Sequence, residues 1–205
     1  MKLVKGQGSE STGACWMSAV HYYVRKDDKS WSDHPNCVSP IVRELCIQLN
    51  DWCEDGERES LIGPHIFAPV GTNTCEADEI RRAFLCADRA VRVFAPAALD
   101  VAGLRAEADK LRALSPVVDV RSAKIAANAA ETAIASAIAS ASTIASASAI
   151  AWAIVRASTR ASTRASARAK QELLQLTLDC CAIGERVEVV PTKSKECVLE
   201  YLEKP

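Results

Sequence analysis

Residues 117–183 contain neither glycine nor proline, an unbroken stretch of 67 positions. Alanine, the best helix former, dominates it, and nothing within it stops a helix outright. One straight helix of that length would run roughly 100 Å at 1.5 Å per residue. A compact chain of 205 residues has a radius of gyration of only about 17 Å. The stretch therefore bends back through a turn made without Gly or Pro, or projects as a rod that needs a partner. Its end carries Leu173, Leu174, Leu176 and Leu178, an apolar cluster that predicts a return to the core.

A rival reading comes from its middle. From Ala133 to Ala153 the odd positions are Ala, except Thr143, and the even positions are Ile, Ser or Trp. A period of two suits a strand or a β-solenoid. A solenoid must turn every few residues, however, and no Gly, Asn, Asp or Pro supplies turns here. The five Ile of residues 132–155 make no single helical stripe either. Propensity favours helix, leaving a β-solenoid-like 133–153 as the alternative.

Residues 1–116 read as a body of short helices. Trp16, Val20, Tyr23 and Val24 have helical spacing. Ser39-Pro40 offers a cap and a first-turn proline ahead of Ile41, Leu45, Leu49 and Trp52. Residues 76–93 predict a third helix, with Ile80, Phe84, Leu85, Ala87 and Val91 on its buried side and Pro96 interrupting it. Residues 104–114 form a fourth piece. The tail, 185–205, opens with Arg186-Val187-Glu188-Val189-Val190-Pro191, which alternates like a short edge strand. The expected fold is mainly α: one domain overall, with a body (1–116), a long Ala/Ser/Arg-rich helical segment (117–184) and a tail.

A net charge of −1 argues against a general nucleic-acid binder or a polybasic membrane binder. The charge is uneven. Residues 122–170 hold six basic side chains and one acid, which leaves 19 basic and 25 acidic residues elsewhere. A basic arm on an acidic body predicts self-association, as a dimer. Nine cysteines without a dense framework, and a start without an apolar signal region, point to reduced thiols and a cytoplasmic setting. Residues 132–155 carry no charge and reach the length of a membrane span. Ala, Ser and Thr are weak drivers of insertion, so no membrane is expected.

Near the start, Gln7-Gly8-Ser9 and Gly13-Ala14-Cys15-Trp16 with Ser18-Ala19-Val20 resemble the nucleophile segment of papain-like cysteine proteases. The resemblance implies Gln7 as oxyanion donor and Cys15 as a nucleophile opening a helix. That family places its His and Asn about 130–150 residues downstream, where this chain has no histidine; His21, His34 and His65 all come early. A thiol hydrolase using Cys15 with an early histidine, His34 or His65, therefore stands as the alternative to a small buried thiol. Of His34, Cys37, Cys46 and Cys53, only His34 and Cys37 have the paired spacing of a zinc site, and core thiols are the better account, with no cofactor implied.

The turn holding Trp31 and His34 offers an indole and an imidazole to a ligand, with Arg89 and Arg92 as charge partners for an anion. Arg156, Arg160, Arg164 and Arg168 recur every four residues as a shallow basic ridge. No aromatics stack along it, so sequence-specific nucleic-acid binding is not expected.

Several segments together resemble an uncharacterised group of small proteins encoded by tailed phages and prophages. They are Cys15-Trp16-Met17-Ser18-Ala19, then Ser32-Asp33-His34-Pro35-Asn36-Cys37 with Pro40, then Asn50-Asp51. Gly71-Thr72, Ala87-Asp88-Arg89-Ala90-Val91-Arg92 and the Ala-rich helix complete the set. The resemblance implies kinship of fold and an origin in infected or lysogenic bacteria, and transfers no catalytic residue. The expected function is a non-enzymatic accessory binding protein that sequesters a host defence signal (a small anionic or nucleotide ligand) or a host protein. Further alternatives are the thiol hydrolase and a self-assembling structural helix.

Overall fold

The computed structural model describes residues 2–6, 13–24, 32–140, 163–191, 193–196 and 198, with the backbone alone for 134, 136–140 and 163–166. The protein is mainly α-helical. Among the described residues, β structure is limited to an isolated parallel bridge between Leu3 and Ala14. The chain divides into two compact units, Met1–Arg82 with Lys170–Pro205, and Ala83–Ala169.

The first unit is built on α1 (Trp16–Val24), α2 (Pro40–Trp52), α3 (Glu57–Ile62), the opening of α4 (Glu76–Arg89) and the end of α8 (Thr163–Cys181). Helix α1 is buried on nearly every side, through Trp16, Met17, Ser18, Ala19, Val20 and Tyr23. Trp16 lies wholly inside and donates its indole N–H to the Ile66 carbonyl at 3.0 Å, so its polar atom is satisfied in the core. Helix α2 begins where the sequence places it. The Ser39 hydroxyl accepts the Val42 N–H at 3.2 Å, and Pro40 occupies the first turn. Helix α3 carries no sequence signal because six residues are too few for a period; it buries Arg58, Leu61 and Ile62.

The leucine cluster behaves as predicted. Leu174 and Leu176 are buried in α8 with Thr177, Cys180 and Cys181. Lys170, also buried, donates to the Glu57 carboxylate at 2.5 Å. Residues 185–191 form no strand: Val187 gives its N–H to Gly71 at 2.9 Å, and Pro191 has none to offer.

The second unit continues from α4 through a π-turn (Ala90–Phe94) into α5 (Ala95–Val101), then α6 (Arg105–Arg112) and α7 (Val120–Ser140). Pro96 does not interrupt the helix as its sequence context predicts. The Ala95 N–H reaches back five residues to Ala90. That widened turn accommodates a proline that has no N–H and would crowd the carbonyl four positions earlier. The buried side of α4 also differs: Asp78 and Arg82 are its buried residues, whereas Ile80 is exposed. The unit's core is small, with Leu99, Ala108, Leu111 and Ala133 against Val91, Ala95, Leu104, Leu114 and Ala129. Residues 133–140 of the period-two run are helical; 141–153 lie outside the described residues. Among the described residues no helix is long and apolar enough to cross a membrane, and most of 132–155 lies beyond them.

Candidate functional site

The start of α1 is where a catalytic thiol would stand. Cys15 immediately precedes the helix and is 4% exposed. Its sulfur lies 3.3 Å from the Ser18 N–H, which it accepts, and 3.2 Å from the Ser18 hydroxyl. Cysteine thus acts as the helix cap, satisfying one of the amides an α-helix leaves unpaired at its start. A second of those amides, on Trp16, donates to the Asn50 side chain at 3.2 Å. Two of the N–H donors that a helix start offers an anion are therefore engaged internally here. Among the described residues no hydrogen bond joins Cys15 to His34. Gln7 lies outside the described residues.

The loop preceding α2 presents the imidazole. Residues 32–37 are pinned from several sides. Ser32 accepts the His34 N–H at 3.0 Å, and Asn73 donates its side-chain amide to the Asn36 carbonyl at 2.8 Å and its backbone N–H to Cys37 at 3.0 Å. Val38 closes the turn by donating to Pro35 at 3.0 Å. On this loop the His34 side chain is 61% exposed, and its Nδ1 is 2.5 Å from the Asp33 carboxylate. Asp33 fixes the ring by accepting at Nδ1, which leaves Nε2 as the nitrogen available to a ligand. Trp31, the other aromatic expected here, lies outside the described residues.

Arg89 and Arg92 belong to the second unit. The Arg92 guanidinium pairs with Asp88 at 3.0 Å, and Asp88 also accepts the Val117 N–H at 2.9 Å. That carboxylate ties the turn after α4 to the approach of α7, so Arg92 has a structural partner. Arg156 and Arg160 lie outside the described residues, Arg164 is described by backbone alone, and Arg168 is exposed.

The remaining thiols are mostly internal. Cys46, Cys53, Cys180 and Cys181 are buried, Cys37 is half-buried and Cys75 is exposed. Burial pushes the Cys37 thiol up, and Cys46 much further, the latter helped by the neighbouring Cys181 and Cys15. Cys181 is pushed up to about 11 by burial, against the pull of Arg186 and Arg82. Among the described residues no group of three His, Cys, Asp or Glu side chains is placed to hold a metal ion.

Two polar residues organise the first unit and escape sequence reasoning. Asn50, buried in α2, donates to the Val4 carbonyl at 2.9 Å, accepts from Trp16, and gives its own carbonyl to Arg58 at 2.8 Å. Arg82, wholly buried, contacts Glu79 at 2.6 Å and the Ile183 carbonyl at 2.6 Å. The Asn50-Asp51 pair was visible as part of a resemblance, but only the fold reveals that it is a hub. No protein-family model, no curated protein and no solved structure matches the chain.

Proposed function

We propose that this chain is a non-enzymatic binding protein, a phage-type accessory factor that uses the His34 loop to engage a small anionic ligand. The carrying observation is a contrast between two candidates. The Cys15 thiol is enclosed and capping its own helix, while the His34 imidazole is oriented by Asp33 and presented on a pinned loop. A nucleophile must reach substrate; this thiol is occupied and covered. A binding group must be accessible and held in place, which is the condition of His34.

Asp33 engages Nδ1, so Nε2 is the ring nitrogen left to meet a phosphate or carboxylate. The likeness to phage proteins of the 32–37 loop and of Gly71-Thr72 supports a bacterial host as the setting. Structurally, those two segments are joined through Asn73 and through Ser39, whose N–H donates to Thr72 at 3.1 Å.

The test is mass spectrometry of the full chain purified from expressing bacteria, compared under native and denaturing conditions. A released anionic small molecule, retained by the parent and lost from His34→Ala at unchanged melting temperature, is the expected result. Hydrolytic activity abolished by Cys15→Ser would overturn the reading in favour of the thiol hydrolase.

A further inference from the structure

We propose that the outer face of α7 is a self-association surface on which two copies of this chain pair antiparallel, Lys124 of each opposite Glu131 of the other. The surface stands independently of any ligand at His34. Helix α7 turns Ala126 and Ala133 inward, with Ala129 packed on the unit's core. On the opposite side Val120, Lys124, Ala127 and Glu131 are all exposed. These four span about 60° at 100° per residue, forming one stripe.

At the head of the stripe Val120 is 63% exposed, while Ile125, about 100° round the helix from Lys124, lies off it.

What marks the stripe as a contact is its charge pattern. Lys124 and Glu131 make no hydrogen bond or ion pair among the described residues. They stand seven residues apart, two turns along the same stripe, roughly 10.5 Å by the helical rise. A two-fold axis between residues 127 and 128 brings position 124 opposite 131 and position 120 opposite 135. Each dimer then gains two Lys–Glu pairs, because a two-fold interface repeats every contact. Parallel pairing would set lysine against lysine and glutamate against glutamate, so the charges select the antiparallel arrangement. Ala127 at the centre, small and uncharged, lets the helix axes approach to about 8 Å.

Sedimentation equilibrium of the full chain tests the pairing with Lys124→Glu, Glu131→Lys and the double exchange. Each single variant replaces two attractions by two repulsions and is expected to raise the dimer dissociation constant about tenfold or more. The double exchange restores both pairs and is expected to return the constant to within about threefold of the parent. It also controls for folding, since both substitutions are then present in an associating chain. A parent chain that stays monomeric to about 100 μM overturns the proposal. So do single variants that dimerise like the parent, and so does a double variant as weak as the singles.

Discussion

The buried guanidinium of Arg82 donates its Nε–H to the carbonyl of Cys180, 98 residues further along the chain, at 3.0 Å. A second nitrogen donates to the Ile183 carbonyl, and a third bonds Glu79. Glu79 in turn accepts the Ser39 hydroxyl at 2.9 Å, and Ser39 is the cap of α2. One arginine thus satisfies a carbonyl in the last turn of α8 and another just beyond it and, through Glu79, anchors the start of α2. Helix ends expose carbonyls that need such partners.

Replacing Arg82 by Met takes the guanidinium from those carbonyls and leaves the Glu79 carboxylate without its cationic partner. Breaking a buried charge network by removing one partner costs about 3–5 kcal/mol. Urea unfolding of Arg82→Met should show that loss as a lower midpoint at unchanged slope. Ser39→Ala should cost about 1–2 kcal/mol through the lost cap. The two losses should not add, since both residues act through Glu79.

Gly184 follows α8 with φ +81°, and a Cβ built there would collide with the Asp78 carboxylate. Gly103 has nearly the same conformation, φ +80°, with nothing near its Cβ position. Both Ala variants meet the left-handed penalty of about 1 kcal/mol. Gly184→Ala must also displace a carboxylate that accepts from Thr74 at 2.8 Å and Arg81 at 3.2 Å. Its stability should fall by roughly 2 kcal/mol more than that of Gly103→Ala, which paired thermal melts at one pH will read directly.

The sequence reveals those parts of the fold whose causes are local. Ser39-Pro40 announces a helix start because cap and proline act within one turn, and the leucines of α8 announce burial by their own chemistry. Arg82 is hidden because its partners lie about a hundred residues away, and a charged side chain on an amphipathic helix reads as solvated. Pro96 misleads for a related reason: a proline signals a break, and only the neighbouring turn decides whether a π-turn absorbs it. At the candidate site, His34 was legible as a loop residue. Cys15 carried a familiar pattern, yet whether a thiol is offered or enclosed depends on Asn50, Ile66 and the packing of α1.

Burial holds the Cys181 thiol at about 11, and burial with Glu57 nearby holds Cys53 there too, against an ordinary value of 9.0. The folded chain keeps these thiols protonated at a pH where the unfolded chain ionises them. Their stabilising contribution is therefore complete below about pH 9 and is lost as pH rises towards 11. For Cys181 a displacement of that size corresponds to roughly 2–3 kcal/mol at most. Unfolding free energies measured between pH 8 and pH 11 should fall, and the fall should be shallower in Cys181→Ala.

Alkylation of the native chain separates the enclosed thiol from a catalytic one. Cys75 is exposed, whereas Cys15, Cys46, Cys53, Cys180 and Cys181 are buried. A buried thiol reacts only when the structure opens, and an opening that costs about 4–5 kcal/mol slows labelling roughly a thousandfold or more. Iodoacetamide followed by peptide mapping should therefore mark Cys75 within minutes, and the five buried cysteines only after denaturant is added. Cys15 is the informative position. Its sulfur must release the Ser18 N–H before it can attack a carbon, so slow labelling there is the expected consequence of its role as a cap. If Cys15 instead labels faster than Cys75, the thiol is accessible and activated, and the non-enzymatic reading fails with it.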